Sequence, residues 1–115
     1  MTIKHLWDWY PAEAITFGNT VFIKDKSRNN PAILAHEAVH SRQQAEHPVW
    51  FWVSYLLLLP VGWNPFRTRW EAEAYAEEVR YGLSVDTAAA WLSSSTYGWC
   101  CRESKAREEI ALRLP

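Results

Sequence analysis

Residues 29–48 read NNPAILAHEAVHSRQQAEHP, and the way this stretch folds settles most of the architecture. The Asn30 side chain is of a type that caps helices, and Pro31 suits the first helical position, where no N–H is needed. The pattern predicts a helix from Pro31 to about His47, stopped by Pro48, since a residue before proline is pushed out of the helical region. Residues on a helix advance by about 100° each, so His36 and His40 stand about 40° apart and one turn along. Both imidazoles can therefore converge on one ion. Glu37 lies about 100° round from His36, off the ligand pair but within reach of a water on that ion. The H-E-x-x-H spacing thus serves metal binding and proton transfer together. The plain alternative is an ordinary helix bearing three polar residues, and the motif needs a third ligand to be a site.

A catalytic zinc takes three protein ligands and keeps a fourth position open. His47 shares the face of His36 and His40 but lies about 10 Å further up the helix axis. The metzincin pattern H-E-x-x-H-x-x-G-x-x-H returns a third histidine through a glycine turn. Here Gln43 and Glu46 occupy the glycine and histidine positions, so His47 reads as a surface histidine or one that supports a ligand. A later helix, expected over Arg67–Tyr81 and ended by Gly82, offers glutamates in RTRWEAEAYAEEVRYG. Ala72, Tyr75, Ala76 and Val79 form its apolar arc, with Glu73, Glu77 and Arg80 opposite. Glu71 borders the apolar arc and is the early glutamate able to point inward. Its other reading is a carboxylate favoured at a helix N-terminus by the dipole.

Working outward, Ala14–Lys26 carries the strand signals: Ile15 and Phe17 alternate with polar neighbours, Gly18-Asn19 is a turn pair, and Val21-Phe22-Ile23 comes next. A hairpin or two short strands are expected there. Val49–Leu59 reads as a helix that is apolar nearly all round, hence buried or membrane-adjacent. Pro60, Gly62 and Pro65 mark a loop. A fourth helix should open at Ser84 or Asp86 and run to about Ser94, and a short amphipathic fifth should cover Cys101–Leu114. The expected class is α+β, mainly helical, with a small N-terminal sheet or hairpin packed on the helix of the motif.

Composition narrows the function. At 115 residues one compact domain is expected. The charges nearly balance, 12 Lys and Arg against 13 Asp and Glu, and no basic run interleaves with aromatics, which argues against a nucleic-acid partner. The N-terminus lacks the apolar core of a signal peptide. The run VWFWVSYLLLLP is shorter than the about 20 residues that span a bilayer, so a cytoplasmic location is expected. Cys100 and Cys101 are adjacent, have no second pair for a disulfide framework, and would chelate a structural zinc awkwardly. The eight tryptophans are expected chiefly to fill the core. The alternative is that Trp50, Trp52 and Trp63, within Val49–Trp63, dock a protein partner or lie in a membrane interface.

His36-Glu37-x-x-His40, followed by Glu71 within E-A-E-A-Y, resembles the gluzincin metallopeptidases in their minimal, single-domain form. The resemblance spans about residues 13–82 and leaves 83–115 as a helical extension without assignment. It implies a zincin-like fold, zinc on His36, His40 and Glu71, Glu37 as general base, and a peptide or protein substrate. The family carries an Asp four positions after its third ligand to orient a histidine, and here Tyr75 stands there. The resemblance further implies a strand before the motif helix whose edge pairs with extended substrate, which Val21, Phe22 and Ile23 would supply. An oxyanion donor is expected among Tyr75, Tyr55 and His47. The alternative function is a zinc-binding or assembly protein with little or no turnover that uses its Trp-rich segment for a partner.

Overall fold

Helix α1 (Pro31–Glu46) begins where its cap puts it: the Asn30 side chain accepts from the N–H groups of Ala32 and Ile33, and Pro31 opens the first turn. The structure is a computed structural model and describes residues 2–114. Upstream lie three strands, β1 (Thr2–His5), β2 (Ala14–Phe17) and β3 (Thr20–Ile23). The β2–β3 hairpin closes with Phe17 opposite Thr20. Gly18 has φ 58° and Asn19 a negative φ, the combination of a type II′ turn, which only glycine enters without strain. Ser41 and Gln44 of α1 hold this turn, bonding the Gly18 carbonyl and N–H respectively.

Strand β1 has no signature in the sequence because all four of its residues are exposed and show no alternation. It pairs parallel with β3, giving the order β1-β3-β2. This corrects one expectation. Val21, Phe22 and Ile23 do not form an edge: β3 is central, both its sides are taken, and Val21 and Ile23 are buried. The free edge beside α1 is β2.

Helix α3 (Pro65–Arg80) runs antiparallel to α1, so that His36 meets Glu78 while Gln43 meets Trp70. Its apolar arc, Ala72, Tyr75 and Ala76, joins Ala88, Ala89 and Leu92 of α4 (Val85–Leu92) and Ala106 and Ile110 of α5 (Glu103–Ala111) in one core. The small side chains bring the helices close, and the polar face of α3 is left to meet α1. The molecule is α+β and mainly helical.

Between α1 and α3 the apolar run departs from a plain helix. A short α2 (Trp50–Trp52) passes into a π-helical turn over Val53–Leu57, with the Leu58 N–H on the Val53 carbonyl. Ser54, fully buried, donates to the Trp50 carbonyl and accepts from the Trp70 indole. The carbonyls left at the end of the turn are gathered by two buried side chains at the start of α3. Asn64 Nδ2 donates to the carbonyls of Ser54 and Leu59, and the Arg67 guanidinium to those of Tyr55, Leu59 and Pro60. Asn64 Oδ1 meanwhile caps α3 through the Arg67 N–H. The aromatic run fills the core only through Phe51; Trp50 and Trp63 are exposed, contrary to the expectation that these aromatics are interior. Among the described residues no helix is long and apolar enough to cross a membrane.

Asn64 thus acts as a helix cap and as the donor for two interior carbonyls. Replacing it with Ala should cost about 2–4 kcal/mol, a cap plus an unsatisfied buried acceptor. Urea denaturation measures this, and the loss should appear in the midpoint with the slope unchanged.

Candidate metal centre and cleft

The antiparallel α1–α3 contact brings His36, His40 and Glu71 together as a buried group able to hold a metal ion. Glu71 Oε1 lies 3.0 Å from His36 Nε2 and 3.0 Å from His40 Nε2, and the two Nε2 atoms are 3.2 Å apart. Three donor atoms of three side chains therefore meet around one point. Glu71 reaches it because it stands where the polar and apolar faces of α3 join, as the helix angles require. Its second oxygen accepts the Tyr55 hydroxyl.

Each imidazole turns its other nitrogen outward to a partner, which leaves Nε2 for the centre. His40 Nδ1 is 2.9 Å from Gln43 Oε1. The Gln43 amide is itself oriented by donating to the Trp70 carbonyl and to Glu73. His36 Nδ1 lies 2.9 Å from Glu78 Oε1, in an ionic contact that is off the line of a straight hydrogen bond. The Tyr75 ring packs edge-on against His36 at 4.5 Å between centroids. Outer partners of this kind fix tautomer and ring orientation in metal sites. Glu78 is a contact of the cluster that sequence reasoning misses. It lies seven positions after Glu71, two turns up the same face of α3, and that spacing is the available signal. Gln43, by sequence, reads only as a missing glycine.

The protonation of the metal-free cluster is set by these contacts. Burial works against charge on His36, but the hydrogen bond to Glu71, the close contact with the Glu78 carboxylate and the surrounding negative charge outweigh it and raise its pKa to about 10. His40 is raised in the same way: burial opposes, and the Glu71 charge and hydrogen bond prevail. Burial alone would push Glu71 up, yet the two imidazoles hold its carboxyl far below the usual range. Burial first, then the Glu71 charge, keeps Tyr55, Tyr75 and Tyr97 protonated well above the ordinary phenol range.

Glu37, the remaining motif residue, is buried and faces a cleft of about 450 Å³ that also exposes the cluster. The Thr16 hydroxyl of β2 donates to Glu37 Oε2 at 2.6 Å, holding one carboxylate oxygen and leaving the other toward the cleft. One cleft wall is β2 from Ala14 to Phe17; the other includes Trp52, Tyr55 and Leu56. A hollow of about 300 Å³ continues past His36 and Glu37 toward Ile33, Glu78 and Trp91. The segment beyond Gly82, unassigned by resemblance, closes the cleft with Thr96, Tyr97 and Gly98. Arg67 links the two aromatic walls, donating to the Tyr55 and Tyr97 carbonyls from a single guanidinium. Gly98 has φ 68°, and a Cβ there would come within 3.1 Å of Arg67.

The other candidates fall in different places. Tyr55 touches Glu71. Tyr75 sits behind His36, its hydroxyl 2.7 Å from that of Tyr97, and faces the smaller hollow rather than the main cleft. His47, at the exposed end of α1, packs on Trp70 and lines neither; it is not brought to the cluster.

Residues 5–48 match the eCIS core domain, a protein family. That span covers less than half of the 115-residue chain; it includes His36, Glu37 and His40 and stops short of Glu71. No curated protein and no solved structure matches the chain.

Glu78→Gln keeps the shape but removes the charge behind His36, and should weaken metal affinity by about 10–100-fold with little change in fold; competition with a chromogenic chelator reads this. A second expected outcome concerns pH. His36, raised from 6.5 to about 10, stabilises the metal-free protein fully below the lower value and ceases to as pH climbs through the higher. Glu71, depressed from 4.5, stabilises above that value and loses its contribution as pH falls. The metal-free protein should therefore lose stability between about pH 6.5 and pH 10, while metal, which displaces the protons, binds better as pH rises. In thermal melts, added Zn²⁺ should raise the midpoint more at about pH 8 than at about pH 5.5.

Proposed function

We propose that the protein is a zinc-dependent metallopeptidase, with His36, His40 and Glu71 holding zinc and Glu37 acting as general base. The observation that carries this reading is the triple convergence of buried donors at 3.0–3.2 Å beside a carboxylate that opens onto a cleft. Two nitrogens and one oxygen form a set suited to zinc. For bonds of about 2.0–2.1 Å in a tetrahedron, donors stand about 3.3 Å apart, so the side chains need to move little. The bound ion would supply a Lewis acid and lower the pKa of water.

The remaining chemistry belongs to the chain. Glu37, oriented by Thr16, takes the proton of the attacking water as its oxygen bonds to the scissile carbonyl carbon. It then gives that proton to the amide nitrogen as the C–N bond breaks, yielding a carboxylic acid and an amine. The Tyr97 hydroxyl, protonated and at the cleft, is free to donate to the developing oxyanion when Tyr75 supplies the hydrogen between the two phenols; Tyr55 is committed to Glu71 and Tyr75 is behind the histidine. Strand β2 supports a peptide substrate. In an antiparallel pair alternate residues direct N–H and C=O away from the partner. The Thr16 carbonyl points that way, to Gln44, and Ala14, two residues earlier, offers the same groups to the cleft. An extended peptide can add there as a further strand.

A second reading is an assembly protein that keeps the metal without turnover. The exposed Trp50 and Trp63 favour it. Glu37→Gln separates the two: hydrolysis of an unstructured protein such as casein should fall at least about 100-fold while zinc content stays at that of wild type. Equal cleavage by both proteins would remove Glu37 from its role, and no cleavage by zinc-loaded wild type would favour the assembly reading.

A further inference from the structure

Residues 48–66 contain no charged side chain, and much of this segment is held out of the fold. Leu57 is 73% exposed, Val61 71% and Trp63 71%. A second segment joins them. The Gly62 N–H donates to the Gly98 carbonyl and the Asn64 N–H to that of Cys100, which lays 62–64 alongside 98–100. Trp99 is thereby set next to Trp63, and it too is 61% exposed. Its backbone has φ 55°, the one left-handed residue other than glycine among those described. A bulky residue seldom adopts this conformation, and such strain persists where the surroundings enforce it. Here it presents an indole to solvent, a result that packing does not require.

We propose that this platform, Trp50 and Leu56–Trp63 together with Trp99, seats the protein on a lipid bilayer with anionic headgroups. Three features select lipid over a protein groove or a second copy of the chain. The centre is aliphatic, Leu56–Leu58 and Val61, while tryptophans lie on its flanks, where indoles suit the boundary between hydrocarbon and headgroups. The patch lacks any acceptor or donor side chain of its own between Tyr55 and Trp63, as a surface facing hydrocarbon should. Its rim is cationic: Arg69 and Arg102 are exposed and, unlike Arg42, Arg80 and Arg107, make no ion pair among the described residues. Arg69 is one turn beyond Phe66, whose ring packs on Trp50, and Arg102 lies just past the 98–100 segment. An uncharged centre with unpaired arginines at its edge complements an apolar interior beneath anionic headgroups. The platform is also continuous with the cleft, since Leu56 and Pro60 line its wall. Seated in this way, the cleft mouth opens at the membrane surface and favours chains displayed there; that consequence rests on the peptidase reading, and lipid binding does not.

The test is co-sedimentation of the full chain, carrying Glu37→Gln so that turnover plays no part, with vesicles of phosphatidylcholine alone or mixed with phosphatidylglycerol. The protein should pellet with the mixed vesicles. A Leu57→Gln, Val61→Gln, Trp63→Ser variant should partition at least about tenfold less, and Arg69→Gln with Arg102→Gln should lose only the preference for the anionic lipid. Independently of any variant, lipids brominated near the headgroup should quench the tryptophan fluorescence. Protein left in the supernatant with both vesicle types and unquenched overturns the proposal. So does a sedimentation-velocity dimer that the triple variant converts to monomer in the absence of vesicle binding, which would make the platform a self-interface.

Discussion

One buried carboxylate holds the centre of this molecule in place. Glu71, on α3, meets two imidazoles of α1 with one oxygen and a tyrosine hydroxyl of the π-helical turn with the other. Three elements are thus pinned at a single side chain. A buried ionic cluster of this kind stabilises little compared with a well-packed apolar substitute, but removing one member strands the others and costs about 3–5 kcal/mol. Such a cluster specifies an arrangement more than it adds stability. The arrangement specified is one that could hold a metal ion in place of protons.

Around it, both histidines and Glu37 have dedicated supports. Gln43 and Glu78 set the histidine rings, Thr16 sets Glu37, and Arg67 joins the tyrosine-bearing walls. The supports come from the sheet and from both helices. Residues 5–48, which match the eCIS core domain, carry the motif and Thr16; the third donor and the remaining walls come from the rest of the chain.

Local periodicity makes part of this legible in the residues alone. The Asn30 cap, the His36–His40 spacing and the inward turn of Glu71 all rest on helix angles, and those are fixed by short-range geometry. Strand β1 escapes such a reading because Thr2–His5 is exposed throughout, and its pairing with β3 moves the free edge to β2. The π-helical turn depends on Ser54, Asn64 and Arg67 competing for carbonyls, a tertiary effect with no local signature. Thr16 and Tyr97 lie 21 residues before Glu37 and 22 after Tyr75 respectively, and nothing in the intervening sequence announces either contact. The platform reads as core because an apolar run looks the same whether it is buried or presented.

The hydrogen bond from Gln44 to the Thr16 carbonyl has a consequence for the protein's behaviour in concentrated solution. An open sheet edge is a template on which other chains can nucleate aggregation. On β2 that hazard is confined: Gln44 occupies the backbone acceptor at Thr16, and beyond it the Phe17 ring stacks on Trp52 at 5.5 Å, closing the end. The Thr16 N–H and the groups at Ala14 remain, on the side of the cleft. A long flat edge from a neighbouring molecule finds few free groups there, and the proposed extended substrate would need only those few. The same glutamine therefore shields the β2 edge where it meets α1 and leaves the strand clear on the side of the cleft.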